Sequence, residues 1–205
     1  ESETEMIFYT NEALPMDTNL AKSVERIFFL ENFRRVHYNQ IGDIYENDNI
    51  VKTYVEDISK QIDASVLQNK HIKIATDIMF GSTSNIYPKI INELGIESII
   101  LNAYKDDKQL QKIPSIIQKS HHDVGKIVKY LNLDCGFLIY PNGQKLQIVC
   151  DDGKLLGDYV ALLVILELLD KTSSKKIKVF LPAWAPDFIE YANIEITRAK
   201  LENFK

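Results

Sequence analysis

The sequence predicts an α/β fold in which helices flank a layered mixed sheet. Helical and extended segments alternate through the middle of the 205-residue chain. Residues 71–104 have the order strand, glycine-containing turn, helix, glycine stop and strand, which indicates a βαβ unit. The composition, 45% hydrophobic and 26% charged, suits a chain that buries one domain plus pieces of others, at about 100–150 residues per domain.

The N-terminal part of the chain contains one strand candidate and two helices. Residues 5–10 are the strand candidate. A helix is predicted over residues 16–33, where Asp17 or Thr18 is suited to cap the first turn. After a polar connection, apolar residues at helical spacing predict a second, amphipathic helix over residues 49–62.

The elements after the βαβ unit include two further helices. One is predicted to begin at Ser120, which forms with Asp123 the pattern of a capping box. The apolar run 159–169 is far shorter than the roughly 20 residues that span a bilayer, and it predicts a buried helix. Three short elements are expected before the C-terminus, namely a strand at 177–182, a helix near 185–192 and a strand at 194–199.

Residues 135–150 are predicted to form a β-hairpin that leads into the apolar helix. Asn142-Gly143 is a strong signal for a two-residue type I′ turn. With these two residues at the centre of the turn, Cys135 faces Cys150 across the hairpin. Opposed side chains have Cβ atoms about 4.5–5.5 Å apart, so we expect the two cysteines to be neighbours that stay reduced in a cytosolic protein.

The glycine-containing segment 79–85 follows a strand and invites comparison with a phosphate-binding loop. It lacks the Lys-Ser/Thr ending of a Walker loop and the three glycines of a dinucleotide fold. We expect Ser82, Thr83 and Ser84 to cap the following helix, with Pro88 in its first turn.

Two pairs of polar residues offer weaker ligand hypotheses. His121 or His122 would contact a phosphate if it lay at a helix N-terminus, but capping and solvent exposure are favoured. Asp151 and Asp152 resemble a metal-binding pair, but the following Gly153 favours a turn.

Charge and cysteine content exclude several classes of protein. The 24 Lys and Arg residues against 29 Asp and Glu give a net charge of -5, which argues against a duplex nucleic-acid binder but leaves small anionic ligands open. Arg34 and Arg35 would meet a phosphorylated partner or substrate, although a solvated linker is favoured. No secretory pattern opens the chain, and two cysteines do not make a disulfide scaffold, so we expect a cytoplasmic protein whose two ends are cut from a longer polypeptide.

Several stretches together resemble the α-D-phosphohexomutase superfamily, the phosphoglucomutases and phosphomannomutases. Residues 73–103, "KIATDIMFGSTSNIYPKIINELGIESIILNA", resemble the family's D-x-x-x-G and P-x-x-x-x-x-L-G motifs. Residues 20–58 resemble the passage from domain 1 into domain 2, "DDGKLLGDYVALLVILELL" at 151–169 resembles the end of domain 2, and "IEITRAKLENFK" at 194–205 resembles the opening of domain 3. The order and spacing of these stretches carry the resemblance.

The resemblance implies a division of the chain into three parts. Residues 1–45 correspond to the end of domain 1 with a linker, residues 46–172 to domain 2 and residues 173–205 to the start of domain 3. Family members use a phosphoserine loop from domain 1, and no Ser-His-Asn string occurs in this sequence. We therefore expect no catalytic residue in this chain.

The family's Mg²⁺ loop in domain 2 reads D-G-D-x-D-R, and the resemblance places it at the tip of the hairpin. Tyr140, Asn142 and Gln144 then occupy the three aspartate positions, and Lys145 occupies the arginine position. Mg²⁺ requires hard oxygen ligands, and neutral groups offset little of its dehydration cost. We therefore expect no metal and no cofactor in this chain, and Lys145 is the remaining candidate for substrate binding.

Two functions are compatible with these expectations. The first is a fragment of a phosphoglucomutase/phosphomannomutase-like protein, whose family interconverts hexose 1-phosphates and 6-phosphates, with no activity of its own. The alternative is a mutase-derived binding or assembly module of a larger protein in a sugar-nucleotide pathway. The expected partners are a sugar phosphate and either the remaining domains of the parent protein or a second copy of the chain. Neither a nucleic acid nor a membrane is expected.

Overall fold

A computed structural model describes residues 8–12, 14–32, 34–43, 45, 49–63, 67, 70–110, 113–173, 175–183, 185 and 193–199. The chain forms two compact units. The larger consists of residues 47–175 and 191–193, and the smaller of residues 1–46, 176–190 and 194–205. The three-part division implied by the resemblance stays a prediction.

The described residues form the following helices and strands in chain order: α1 Thr18–Phe29, α2 Asn49–Gln61, β1 Lys73–Asp77, α3 Tyr87–Glu93, β2 Glu97–Leu101, α4 Asp107–Leu110, α5 Ile113–Leu131, β3 Cys135–Ile139, β4 Leu146–Val149, α6 Asp158–Thr172, β5 Ile177–Pro182 and β6 Ile194–Ala199. The larger unit contains a mixed sheet with strand order β2-β1-β3-β4. β1 is parallel to β2 and β3, and β3 is antiparallel to β4. The predicted α/β class with a mixed sheet and flanking helices is confirmed.

Helix α5 covers one face of this sheet, and the core lies between them. Ala75, Leu138 and Val149 from the strands are buried in one cluster with Val124 and Val128 of the helix. Gly136 of β3 permits this close packing, because an added Cβ would lie 2.5 Å from the nearest methyl carbon of α5. The sequence of β3 therefore carries a glycine where the helix approaches the strand.

Helix α3 packs toward the opposite face. The Tyr87 hydroxyl and Thr76 Oγ1 of β1 share a hydrogen bond of 2.7 Å. Burial raises the pKa of the Tyr87 phenol above its ordinary value, and the bond to Thr76 opposes that rise only in part. Helices on both faces give the sheet its layered arrangement.

Several predicted elements are confirmed. The carboxylate of Asp17 caps α1 by accepting hydrogen bonds from the backbone amides of Asn19 and Leu20, at 2.8 and 3.1 Å. The second helix is present as α2. The βαβ unit is present as β1, α3 and β2, and Gly95 stops the helix in the left-handed region at φ +66°.

The predicted start of α5 at Ser120 is wrong. The helix begins at Ile113, and Ser120 lies in its interior with 2% of its surface exposed. Pro114 occupies the first turn, where a residue without an N–H is tolerated because that group has no partner within the helix. Ser120 and Asp123 are therefore not a capping box.

The prediction that the apolar run is a buried helix is also wrong. In α6 only Leu166 is fully buried, while Val160, Val164 and Leu168 are about half exposed. The helix is apolar on every side, so it buries the side that faces its unit and exposes the other. Within the described ranges, every helix is too short or too polar to cross a bilayer.

The smaller unit contains a parallel pair of strands, β5 and β6, which confirms both predicted C-terminal strands. The N-terminal strand candidate lies mostly outside the described residues, and Tyr9 forms an isolated bridge to Pro15. The predicted helix near 185–192 lies outside the described residues except for Ala185.

Candidate functional site

The candidate site lies at the carboxyl ends of β1 and β3. β2 lies on one side of β1, and the chain then crosses to form β3 on the other side. In open α/β sheets, ligands bind in the crevice at such a reversal of strand order. The segments that follow these strands, residues 78–82 and 140–145, form the walls of the site.

The segment after β1 is fixed by a buried carboxylate. Asp77, 1% exposed, accepts hydrogen bonds from the Met79 amide at 2.8 Å and from Asn102 Nδ2 at 3.0 and 2.9 Å. Met79, Phe80 and Asn102 all have left-handed backbones, with φ of 47°, 58° and 51°. Non-glycine residues keep such conformations only where surrounding contacts impose them, and Asp77 supplies these contacts for Met79 and Asn102.

The hairpin has the predicted register but a different turn. Gly136 pairs with Val149, and the Tyr140 amide donates to the Lys145 carbonyl at 2.9 Å, which is the predicted alignment. The predicted type I′ turn is wrong, because Gly143 has φ +72° whereas Asn142 has no positive φ. The Gly143 amide donates to the Tyr140 carbonyl at 2.8 Å, so the central turn residues are Pro141 and Asn142.

The segment after β1 holds the tip of this hairpin. The Pro141 carbonyl accepts hydrogen bonds from the Ser82 amide at 2.9 Å and from Ser82 Oγ at 3.1 Å. A Cβ on Gly81 would lie 2.3 Å from the same carbonyl oxygen. We call Gly81, Ser82 and Pro141 the tip clamp. Gly81 is the glycine of the D-x-x-x-G motif noted in the sequence, but neither the motif nor its spacing predicts the contact of Gly81 with Pro141.

The side chains at the base of the hairpin also have partners. The Tyr140 hydroxyl donates to Gln147 Oε1 at 3.2 Å, and the same oxygen lies 2.9 Å from His121 Nε2. The Lys145 ammonium lies 5.2 Å from the centre of the Tyr140 ring and 3.7 Å from Asp158 Oδ2. A cation therefore stands at the edge of the site.

The residues at the tip do not fit Mg²⁺. Asn142 Oδ1 accepts a hydrogen bond from the Gln144 amide at 3.1 Å, and Asn142 Nδ2 donates to Gln144 Oε1 at 3.3 Å. The Tyr140 hydroxyl is bound to Gln147, and Lys145 brings a positive charge. Mg²⁺ takes oxygen ligands in near-octahedral geometry and is usually held in proteins by one or two carboxylates. In the part of the chain that the structure describes, no three acidic, histidine or cysteine side chains converge as a metal site.

The other predicted ligand residues are not part of the tip clamp. His121 and His122 lie inside α5, so the alternative in which they bind phosphate at a helix N-terminus is wrong; His122 is exposed beside Asp123. In the smaller unit, Arg35 forms an exposed ion pair with Glu31 at 2.8 Å.

The predicted turn at Asp151-Asp152 is confirmed. The Gly153 amide donates to the Cys150 carbonyl at 2.9 Å, and Gly153 has φ +82°. Hydrogen bonds from the Lys154 side chain and amide lower the pKa of the Asp152 carboxyl below its ordinary value. Its nearest cation is therefore a lysine of the same turn.

The predicted serine and threonine caps before α3 are wrong. Residues Ser82–Asn85 form a 3₁₀ helix, and α3 begins at Tyr87 without a side-chain cap. Pro88 lies in the first turn of α3, as predicted. Ser82 bonds to the hairpin tip instead of to the helix.

The comparisons with known proteins bear on this arrangement. Residues 52–153, which contain β1 to β4 and the tip clamp, match the family model described as "Phosphoglucomutase/phosphomannomutase, alpha/beta/alpha domain II". The chain belongs to the α-D-phosphohexomutase superfamily. Family membership suggests the Mg²⁺ dependence of phosphohexomutases, and the residues at the tip of this chain depart from it.

Relatives of this phosphohexomutase-family chain are mutases. The chain is 28% identical over 142 residues to a phosphoglucomutase/phosphomannomutase of Thermococcus kodakarensis, covering 69% of this chain and 31% of the relative. It is 25% identical over 185 residues to a phosphoglucosamine mutase of Methanocaldococcus jannaschii, covering 87% of this chain and 40% of the relative. The chain thus spans less than half of the length of these relatives.

Solved structures of the same superfamily share the fold. A phosphoglucomutase/phosphomannomutase family protein of Burkholderia thailandensis superposes with a TM-score of 0.68 at 18% identity, over 90% of this chain and 39% of the other. A putative phosphomannomutase of Thermus thermophilus superposes with a TM-score of 0.67 at 13% identity, over 91% and 43%.

Proposed function

We propose that this chain is the domain 2-like part of a phosphoglucomutase/phosphomannomutase-type protein and that it does not itself catalyse phosphoryl transfer. The observation that carries the proposal is the hairpin tip. It occupies the position where an α/β sheet binds ligands, yet it offers no carboxylate and its polar groups bond to one another. The cytoplasm is proposed as its location, because its two cysteines are free.

The tip clamp supports this proposal. In a metal loop, ligands that point inward are held in place partly by the ion that they bind. Here the Pro141 carbonyl is held by Ser82 and needs no ion. A loop held by its own chain keeps its shape after its metal ligands are replaced.

Lys145 is the residue proposed to meet a sugar phosphate. Among the described residues, only Asp158 is a counter-charge for its ammonium, at 3.7 Å, and its side chain is about half exposed. An exposed pair of this kind contributes about 0–1 kcal/mol, so a phosphate would displace it readily.

A coupled assay tests the absence of catalysis. Purified chain is incubated with glucose 1-phosphate, Mg²⁺ and the bisphosphate activator, and the mutase of Thermococcus kodakarensis serves as the positive control. We expect the chain to give the rate of the enzyme-free mixture. Turnover above that rate that follows the chain through purification would contradict the proposal.

Calorimetry tests the metal argument separately. We expect no saturable heat with millimolar Mg²⁺. A triple variant with Tyr140→Asp, Asn142→Asp and Gln144→Asp should acquire weak binding, because residues 142 and 144 already face each other at 3.3 Å. Replacement of the same three residues by Ser adds no charge and is the matched control. Saturable Mg²⁺ binding by the unmodified chain would refute the argument.

A role in assembly is the second candidate, and the exposed apolar side of α6 favours it. Val160, Val164, Ile165 and Leu168 are each about half exposed. The proposed partner is the rest of the parent protein, since the aligned segments make up only 31% and 40% of the two mutase relatives. Sedimentation velocity should then show a monomeric chain. Self-association that Leu168→Ser abolishes would point instead to a second copy of the chain.

A further inference from the structure

A cavity lies at the carboxyl ends of β1 and β2, on the face of the sheet that α5 covers. Its volume is about 380 Å³, at the lower end of the roughly 300–1,000 Å³ of small-ligand pockets. It shares Phe80 with the segment 78–82 of the candidate site but no residue with the hairpin tip or the tip clamp, and every residue that lines it belongs to the larger unit. The inference drawn from it does not depend on the proposed function.

The interior of the cavity is apolar on several sides. Phe80 follows β1, Leu101 ends β2, and Ile116 and Ile127 project from α5. The Phe80 ring packs edge to face on the Tyr104 ring, with the centroids 5.1 Å apart. Such walls suit a flat apolar body, because ring edges and faces pack well on one another.

The backbone of the Phe80 wall is fixed before any ligand arrives. Phe80 has φ +58°, its amide donates to the Asn102 carbonyl at 3.2 Å, and its own carbonyl accepts from the Asp106 amide at 3.4 Å. Because this backbone is already ordered, little conformational entropy is lost there when a ligand binds.

A small polar side chain also lines the cavity. Ser120 lies on α5 and is 2% exposed. A hydroxyl both donates and accepts hydrogen bonds, so a polar atom of a ligand would find a partner there.

The rim of the cavity is positively charged. Lys119 and Lys126 line it from α5, seven residues and about 10 Å apart along the helix axis. Asp123 lies between them and contacts His122, and among the described residues neither lysine has an acidic partner within ion-pair distance. The charged side chains of the rim therefore sum to one positive charge.

We propose that this cavity binds a small aromatic acid, with its ring against Phe80 and Ile127 and its carboxylate or phosphate beside Lys119 and Lys126. A polar substituent on the ring would bond to Ser120. The four apolar lining residues favour an aromatic ring over a sugar ring, while Asn102 and Gln109 add polar groups to the lining. The site is separate from any chemistry at the hairpin tip.

Amide NMR shifts of the isotopically labelled chain test the proposal with four probes. Phenyl phosphate and benzoate combine ring and charge, benzyl alcohol carries the ring alone, and inorganic phosphate carries the charge alone. We expect saturable shifts at Phe80, Asn102 and Ser120 with the first two probes, in the millimolar range given by about 0.3 kcal/mol per heavy atom. Benzyl alcohol and inorganic phosphate should each bind several-fold more weakly than phenyl phosphate.

Charge variants make the test specific. Lys119→Gln with Lys126→Gln should weaken phenyl phosphate about three- to tenfold, as expected for two exposed charge pairs, and leave benzyl alcohol unchanged. Lys129→Gln, on the same helix but outside the cavity, is the matched control and should change nothing. The proposal is overturned if the ring probes give no saturable shift, if inorganic phosphate binds as well as phenyl phosphate, or if the double variant binds phenyl phosphate normally.

Discussion

Replacing Gly81 with alanine should release the hairpin tip from the segment after β1. The backbone at Gly81, φ -86° and ψ -175°, is one that alanine adopts without strain. The added methyl carbon, however, would lie 2.3 Å from the Pro141 carbonyl oxygen and 2.4 Å from its Cα. Both are backbone atoms that no rotamer change can move, so the tip itself must shift by about 1 Å to restore an ordinary contact near 3.5 Å.

The size of the effect follows from the bonds that such a shift breaks. The Pro141 carbonyl loses the Ser82 amide at 2.9 Å and the Ser82 hydroxyl at 3.1 Å. Each bond is worth about 0.5–1.5 kcal/mol, and alanine returns about 0.4–1 kcal/mol by restricting the unfolded chain. We expect Gly81→Ala to lower the free energy of unfolding by about 1–2 kcal/mol, and by more if the shift propagates into β3.

Urea unfolding followed by circular dichroism measures this loss, and hydrogen exchange of the Ser82 amide locates it. Gly157→Ala is the control, because Gly157 has φ -64° and ψ 142° and an added Cβ would have no neighbour within 4 Å. That variant should stay within about 1 kcal/mol of the parent. The reasoning fails if the two variants unfold alike and the Ser82 amide stays equally protected in both.

Three further predictions concern the sheet. Tyr87→Phe should lower the free energy of unfolding by about 1 kcal/mol, because the bond to Thr76 is lost. Because the pKa of Tyr87 is raised in the folded chain, the phenol stabilises the fold below pH 10, and this stabilisation is lost as the pH rises further. Urea unfolding should therefore show that the free energy of unfolding falls less above pH 10 in the variant than in the parent. Mild oxidation should join Cys135 and Cys150, seen by mass spectrometry as the loss of two hydrogens, and dimers in place of this intramolecular bond would contradict the register. Asp77→Asn should lower the free energy of unfolding by about 2–4 kcal/mol, because an amide cannot replace the carboxylate that fixes the adjoining loops, and unchanged unfolding would show that these bonds are dispensable.

Features that depend on local pattern or on counting could be predicted from the sequence. The βαβ unit follows from the order of apolar strand, Gly-containing turn and helix. The pairing of Gly136 with Val149 follows from the centre of the hairpin, since the side-chain period of a strand fixes every other pair. The turn itself differed, because Pro141 restricts its own φ and takes a central turn position.

Features that depend on neighbours distant in sequence were missed. The contact of Gly81 with Pro141 joins residues 60 positions apart, and no pattern in either segment announces it. The start of α5 was missed because Ser120 and Asp123 have the pattern of a capping box although they lie inside the helix, whose first turn tolerates Pro114. The exposure of α6 was missed because a helix that is apolar on all sides carries no periodicity to show which side is buried.

The tip clamp joins backbone to backbone and a small hydroxyl, and it leaves the side chains of residues 140, 142 and 144 out of the contact. Mutations at these three positions can therefore change the chemistry of the loop while its path through space is inherited unchanged. Single substitutions at these positions would therefore remove or add metal ligands one at a time, and the fold would tolerate each of them. The loop is accordingly a place where a reaction can be lost, and a new ligand acquired, on an intact scaffold.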